Sequence, residues 1–192
     1  MASPTFPHLA KPVKLIVLDR DGVINEDSDA FVKSVDEWIP IPGSLEAIGR
    51  LCQAGWTVAV ATNQSGLARG LFDLSTLDGM HFKMQQLAME EGGRIDLIVH
   101  CPHGPDEGCS CRKPLPGLFQ KVVEHFHLKD LEGVPVVGDS LRDLQAGMHL
   151  GCEPYLVRTG KGMRTLEGVI PPGTQVFDDL ASLADHLLGV AG

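Results

Sequence analysis

Five short apolar runs rich in β-branched residues recur along the chain. Nearly continuous runs of this kind are typical of strands that are covered on both faces, as in a parallel sheet flanked by helices. The predicted strands span residues 13–19, 56–62, 95–100, 134–139 and 154–159.

Helical patterns separate these runs. The first spans 44–54 and stops at Gly55, and a capping box at 75–78 predicts the start of the second, which carries Met80 and Met84. Three further apolar stripes follow, at Leu118, Val122 and Phe126, at Leu141, Leu144 and Met148, and at Leu180, Leu183 and Leu187. Alternation of strands and helices predicts an α/β fold with a doubly wound parallel sheet.

Length and composition indicate one soluble domain. The chain has 192 residues, of which 43% are hydrophobic, and no segment resembles an interdomain linker. We expect a tail at 1–12 and a single domain at 13–192. The net charge of -9 argues against nucleic acid or an anionic membrane as partner, because both attract basic patches. Without a secretory signal or a membrane-spanning apolar stretch, we expect a cytoplasmic monomer.

Carboxylates follow the predicted strands. Asp19 and Asp21 lie two residues apart at the end of the first strand, and Asp139 ends the fourth. In open parallel sheets, ligands bind beyond the carboxyl ends of the strands, so these acids are expected to face one pocket. Two close carboxylates indicate a divalent cation or a shared proton, and oxygen ligands suit Mg²⁺. The alternative is a solvated pair of loop aspartates without a functional role.

Two other segments offer groups that suit a phosphate. Thr62, Asn63, Gln64 and Ser65 follow the second strand and provide a hydroxyl, amides and backbone N–H groups. Arg112 and Lys113 bring two cations next to a proline. Taken alone, the first segment is equally typical of a capped turn, and the second of surface charge.

Cysteines cluster in one loop. Three of the five cysteines fall within residues 101–111, and together with a histidine they supply the ligands of a closed tetrahedral zinc site. The predicted ligands are Cys101, His103, Cys109 and Cys111. A closed site leaves no open coordination position, so we expect structural Zn²⁺ that positions Arg112 and Lys113. The alternative is a loop of free thiols.

The order of these motifs resembles the haloacid dehalogenase superfamily of phosphohydrolases over residues 13–159. The resemblance implies that Asp19 is the nucleophile and that Asp21 protonates the leaving oxygen and later activates water. It implies that Thr62 and Lys113 hold the phosphoryl group. It also implies that catalytic Mg²⁺ is bound by Asp19, by Asp139 and by the main-chain carbonyl of Asp21. The second aspartate favours phosphoryl transfer over dehalogenation, since only an alkoxide leaving group needs a proton. No separate cap domain fits the spacing.

The cysteine loop narrows the resemblance to a group that contains heptose 1,7-bisphosphate 7-phosphatases and histidinol-phosphate phosphatases. The motifs favour the heptose enzymes, which implies removal of the 7-phosphate of D-glycero-D-manno-heptose 1,7-bisphosphate during lipopolysaccharide biosynthesis. In that group the sugar contacts would be Asp27, Ser28, Asp29, Ala30, Asn63, Gln64, Ser65 and Arg112. Ser140 departs from relatives that have lysine there. The alternatives are histidinol phosphate or another small sugar phosphate as substrate, and a zinc-stabilised module that only binds phosphate.

Overall fold

Strands and helices alternate strictly along residues 14–190, the part of the chain that this computed structural model describes. The strands are β1 (Leu15–Leu18), β2 (Thr57–Asn63), β3 (Leu97–Cys101), β4 (Pro135–Gly138), β5 (Glu153–Val157) and β6 (Gln175–Phe177). The helices are α1 (Ser44–Gln53), α2 (Leu74–Glu90), α3 (Gly117–His125), α4 (Leu141–Met148), α5 (Gly162–Leu166) and α6 (Leu180–Leu188). The predicted tail at 1–12 lies outside the described residues, and the single domain at 13–192 stays a prediction.

The six strands form one parallel sheet in the order β3-β2-β1-β4-β5-β6. This confirms the predicted doubly wound α/β fold. Full burial is confined to the inner strands: all four residues of β1 and of β4 are buried, whereas β3 and β6 at the edges are largely half-buried. The apolar runs therefore reflect how central a strand is in the sheet.

Side chains that alternate along each strand pack into two separate hydrophobic cores. Ile16 and Leu18 point to one face, where they pack in a cluster with residues of α1, α2 and α6. Leu15 and Val17 point to the other face and join residues of α3 and α4. The two-residue period of a strand thus produces the two covered faces of the sheet.

Several details differ from the sequence predictions. The second helix begins at Leu74, and its N-cap is Asp73, whose carboxylate accepts a hydrogen bond from Thr76 N at 2.8 Å, so the capping box predicted at 75–78 is wrong. Met148 is 36% exposed and therefore is not a core residue of its helix. Neither α5 nor β6 was predicted from the sequence, because five and three residues are too short to show a period.

The strand order reverses direction between β1 and β4. The chain runs outward from β1 through β2 to β3 and then returns to β4 on the opposite side of β1. Such a switch point leaves a crevice beyond the carboxyl ends of the two central strands. Asp19 directly follows β1 and Asp139 directly follows β4, so both acids lie at this crevice. None of the helices within residues 14–190 is both long and apolar enough to cross a membrane.

Candidate active site

A cavity opens at the carboxyl edge of the sheet, where β1, β2 and β4 end. Its lining is mostly charged and polar. It consists of Asp19, Asp21, Asp27, Ser28, Asp29, Phe31, Val32, Asn63, Gln64, Ser65, Arg112, Lys113, Asp139, Arg142, Asp143 and Lys161. The structure therefore brings together most of the predicted site residues, which are far apart in the sequence.

Asp19 has one carboxylate oxygen engaged by the protein. Its Oδ1 accepts a hydrogen bond from the backbone N–H of Arg20 at 2.8 Å and lies 3.0 Å from Lys113 Nζ. Its Oδ2 has no hydrogen-bond partner among residues 14–190. The carboxylate is thus fixed in orientation while one oxygen remains available to a ligand.

Lys113 is buried, with its side chain 2% exposed, and its ammonium group lies close to two carboxylates and one carbonyl. Nζ donates to the carbonyl of Ala61 at 2.7 Å and lies 2.8 Å from Asp143 Oδ1, in addition to its contact with Asp19. Of these contacts, the one to Ala61 is a hydrogen bond, whereas those to Asp19 and Asp143 are ion pairs. Lys113 therefore acts on this cavity chiefly through its charge.

Asp139 and Asp143 complete a cluster of carboxylates with Asp19. One oxygen from each lies within 4.8 Å of the others. Asp139 Oδ2 accepts from the backbone N–H of Lys161 at 2.8 Å. Asp143 Oδ2 instead accepts from the backbone and hydroxyl of Ser140, in the capping box that starts α4. Asp143 is thus largely engaged in positioning its neighbours.

The cluster has more negative than positive charge. Burial and the nearby Asp143 carboxylate raise the pKa of Asp19 to about 7, although Lys113 opposes the shift. Burial and the same neighbour, together with Asp19, raise the pKa of Asp139 to about 8. Burial would also raise the pKa of Asp143, but its ion pair with Lys113 lowers it, and the two carboxylates raise the pKa of Lys113 against the effect of burial. One ammonium group does not balance three carboxylates, so the donor set fits a bound divalent cation.

Asp21 lies beside this cluster rather than within it. Although burial favours its neutral form, the guanidinium of Arg20 and hydrogen bonds from Asn25 and Gln64 lower its pKa. The carboxylate of Asp21 is absent from the group of acids close enough to share a metal ion. This agrees with a contribution from its main-chain carbonyl, which stays a prediction.

Two of the predicted substrate contacts, Asn63 and Thr62, are bound to other groups of the protein, and a third, Ala30, lies outside the cavity lining. Both polar atoms of the Asn63 side chain bind the backbone of Lys113, with Nδ2 donating to its carbonyl at 3.2 Å and Oδ1 accepting from its N–H at 3.0 Å. Thr62 is fully buried, and its Oγ1 accepts from Gln64 Nε2 at 2.8 Å. Neither Thr62 nor Ala30 is part of the cavity lining.

The four predicted zinc ligands converge in the loop after β3. Cys101 Sγ lies 3.7 Å from Cys109 Sγ and 3.1 Å from Cys111 Sγ, and His103 Nδ1 is 3.5 and 3.4 Å from the sulfurs of Cys101 and Cys111. A tetrahedral zinc ion bound by sulfur at about 2.3 Å would separate its ligands by roughly 3.8 Å. The side chains are therefore close to the positions that such an ion needs. Arg112 Nη1 donates to the carbonyl of His103 at 3.2 Å, which ties Arg112 to the loop.

Several cavity residues were not predicted from the sequence. Lys161 follows β5, and inspection of the residues after this strand, as after the others, would have found it. Arg142 belongs to the same motif as Asp139 but was not considered as a contact. Phe31 lines the cavity with φ of 67°, which is unusual for a bulky residue, and no local pattern predicts this conformation.

Known proteins resemble this chain along most of its length. A D-glycero-beta-D-manno-heptose-1,7-bisphosphate 7-phosphatase of Bordetella bronchiseptica is 61% identical over 177 residues, which cover 92% of this chain and 98% of the relative. An enzyme of the same name from Pseudomonas aeruginosa is 59% identical over 91% of this chain and 97% of its own length. This chain belongs to that family of phosphatases. A family model described as HAD-hydrolase-like also matches residues 110–183, which include Lys113, Asp139 and Asp143.

A solved structure supports the assignment. The crystal structure of D,D-heptose 1,7-bisphosphate phosphatase from B. bronchiseptica, complexed with magnesium and phosphate, matches with a TM-score of 0.89 and 61% identity. The match covers 93% of this chain and 99% of that one. The haloacid dehalogenase fold and the superfamily assignment inferred from the motifs are confirmed.

Proposed function

We propose that this chain hydrolyses the 7-phosphate of D-glycero-β-D-manno-heptose 1,7-bisphosphate and releases heptose 1-phosphate and inorganic phosphate. The observation that carries the proposal is the 61% identity with a phosphatase of that name across 92% of this chain. The cavity at the switch point adds a chemical reason, since it combines a carboxylate with a free oxygen, a buried ammonium group and a second metal-binding acid. The product would serve the nucleotide-activated heptose of lipopolysaccharide.

In the proposed reaction, Asp19 attacks the phosphorus atom and forms an aspartyl-phosphate. The bond from phosphorus to the sugar oxygen breaks, and its electron pair stays on that oxygen, which takes a proton from Asp21. Asp21 then accepts a proton from water as the water oxygen attacks phosphorus, and the bond to Asp19 breaks to release phosphate. Two steps allow one carboxylate to act as both acid and base.

Asp19 and Asp139 would hold Mg²⁺ together with the main-chain carbonyl of Asp21. The cation would supply charge neutralisation for the phosphoryl oxygens and for the crowded acids. Magnesium in the related B. bronchiseptica structure supports this assignment. Asp143 would contribute by holding Lys113, whose charge lies 3.0 Å from Asp19 Oδ1.

A second phosphate on the substrate agrees with the charges at the rim. Asp27 is paired with Lys161 at 3.1 Å, and Asp29 lies 3.8 Å from Arg164. By contrast, Arg112 and Arg142 have no carboxylate partner among the described residues, although both line the cavity. Burial and the nearby Arg142 lower the pKa of Arg112. Two unpaired guanidinium groups favour an anion over the cationic imidazole of histidinol phosphate.

Cys101, His103, Cys109 and Cys111 would hold a structural zinc ion. Their mutual distances support this proposal, as does the ligand set of three thiols and one imidazole. The ion would fix the loop that ends at Arg112 and Lys113. It would take no part in activating water, since all four coordination positions belong to the protein.

Phosphate release from both candidate substrates tests the proposal. We expect turnover of heptose 1,7-bisphosphate that requires Mg²⁺, is abolished by EDTA and exceeds turnover of histidinol phosphate. Asp19→Asn is expected to lose activity while its fold stays intact. The matched control is Asp130→Asn, at an exposed aspartate between α3 and β4. Faster hydrolysis of histidinol phosphate, or full activity of Asp19→Asn, would refute the assignment.

A further inference from the structure

The guanidinium group of Arg20 is buried directly behind the cavity. Its side chain is only 1% exposed, and it lies between the nucleophile Asp19 and the proposed acid Asp21 in the sequence. Burying a cation of this size is costly unless its donors are satisfied. The proposed reaction assigns no role to this residue, so its contacts call for an explanation.

Arg20 provides most of the hydrogen bonds that hold the Asp21 carboxylate. Its Nε donates to Oδ1 at 3.2 Å, and its Nη2 lies 2.9 Å from Oδ1 and 3.2 Å from Oδ2. The remaining two bonds come from Asn25 Nδ2 to Oδ1 and from Gln64 Nε2 to Oδ2, both at 2.9 Å. Three of five hydrogen bonds to this carboxylate therefore come from one rigid guanidinium group.

Arg20 also orients a second donor to Asp21. Its Nη2 donates to Gln64 Oε1 at 3.3 Å, which fixes the amide so that its nitrogen faces Asp21 and Thr62. On the far side, Arg20 Nη1 lies 3.3 Å from His81 Nε2. The Asp21 side chain remains 21% exposed and lines the cavity, so Arg20 holds it on one side while the other side is accessible from the cavity.

We propose that Arg20 is a positioning residue that aims the Asp21 carboxylate, directly and through Gln64, at the leaving oxygen of the substrate. The inference rests on the proposed function, because it uses the role of Asp21 as the proton donor. The contacts that orient Asp21 also lower its pKa, so Asp21 must take up its proton against this effect, and Arg20→Lys keeps the charge that contributes to it. A planar guanidinium group suits this task, since its fork fixes a carboxylate in both direction and rotation, whereas an ammonium group offers only a point charge.

The test compares two substrates that differ in their need for a proton. The sugar alkoxide leaves only when protonated, whereas the phenolate of 4-nitrophenyl phosphate leaves without a proton. The value of kcat/KM reports the steps up to departure of the leaving group and excludes hydrolysis of the aspartyl-phosphate. If the Asp21 carboxylate is no longer correctly oriented, kcat/KM for the bisphosphate should therefore fall, whereas kcat/KM for the aryl phosphate should stay nearly unchanged.

Arg20→Lys keeps the charge but removes the fork. We expect kcat/KM for heptose 1,7-bisphosphate to fall about tenfold or more, and that for 4-nitrophenyl phosphate to fall less than about threefold, since general acid catalysis contributes about 10²- to 10⁴-fold. The double variant Arg20→Lys/Asp21→Asn should be no slower than Asp21→Asn alone. Arg94→Lys is the control, because Arg94 pairs with Asp96 at 2.7 Å on an exposed surface.

Equal losses on both substrates, with losses that multiply in the double variant, would overturn the inference and leave Arg20 a structural residue. If Arg20→Lys does not fold, Gln64→Met tests the same geometry by removing the amide that links Arg20 to Asp21, and equal losses there also overturn it. Failure of the proposed function itself would give a different result from failure of this inference. In that case Asp21→Asn shows no preference between leaving groups, or the unaltered protein does not hydrolyse the bisphosphate.

Discussion

Gly22 is the position where one added carbon atom should disrupt the proposed metal site most directly. Its φ is +83°, and a Cβ with ideal geometry there would lie 2.1 Å from Asp139 Oδ2, a distance that real Cβ atoms do not reach. Asp139 is buried and held by the backbone N–H of Lys161 at 2.8 Å. The backbone of Gly160 also lies close to this carboxylate, since a Cβ there would be 2.3 Å from the same oxygen. The carboxylate must therefore shift in Gly22→Ala.

Two effects of Gly22→Ala can be separated with a matched control. A Cβ at positive φ costs about 1–2 kcal/mol in any left-handed position. Gly173 has φ of +82°, and no atom lies within 4 Å of the place that its Cβ would occupy, so Gly173→Ala has this cost alone. Only Gly22→Ala also displaces Asp139, a proposed metal ligand, by about 1 Å, and a misplacement of that size can lower activity by about 10²-fold.

Magnesium-dependent phosphate release and urea unfolding measure the two effects on the same proteins. We expect both variants to lose stability, while only Gly22→Ala loses about 10²-fold in activity or requires far more Mg²⁺. If Gly22→Ala keeps full activity at the Mg²⁺ concentration that saturates the unaltered protein, then the placement of Asp139 beside Gly22 does not set the geometry of the site. Equal activity losses in the two variants would point to backbone strain instead.

Two other features of the fold give measurable effects. Burial, followed by the nearby Arg20, lowers the pKa of His81 to about 3, so the native state stays neutral where the unfolded chain takes up a proton. The contribution of His81 to stability should fall as the pH drops below 6.5, by about 2 kcal/mol at pH 5. Because the raised pKa values of Asp19 and Asp139 act in the opposite direction, the effect is measured as the difference between urea titrations of the unaltered protein and of His81→Gln. For the loop that carries the four proposed zinc ligands, native mass spectrometry should find one zinc ion per chain and none in Cys111→Ser. That variant should lower phosphatase activity while the Mg²⁺ requirement persists, whereas full activity without zinc would contradict a role in fixing Arg112.

Sequence patterns predict the central fold well because buried parallel strands leave continuous apolar runs. The ends of these runs also mark Asp19 and Asp139, which the sheet order then brings to one crevice. The short edge strand β6 has only three residues and gives no comparable pattern. The predicted start of α2 is wrong because a capping box needs only four suitable residues. The helix begins earlier, at Leu74, where the side chain of Asp73 accepts a hydrogen bond from the N–H of Thr76.

The roles of individual polar residues are harder to predict, because they depend on how many donors are already engaged. Asn63 and Gln64 have the right chemistry and place for binding a phosphate, yet Asn63 fixes the backbone of Lys113 and Gln64 links Arg20 to Asp21. A sequence gives the inventory of donors, whereas only the packed structure shows which of them are free.

Four of the cations in or directly behind the cavity are likewise of two kinds, according to whether carboxylates of the protein hold them. Lys113 and Arg20 are buried, and their donors are engaged by carboxylates, carbonyls and amides of the protein. They hold Asp19 and Asp21, the acids proposed to react, and contribute charge. Arg112 and Arg142 lie at the rim without carboxylate partners in the described part of the chain, and they can bind a part of the substrate that differs between phosphate esters. Chemistry and substrate choice are therefore divided between buried and exposed cations, and substitutions at the rim should change the preference among substrates more than the rate of phosphoryl transfer.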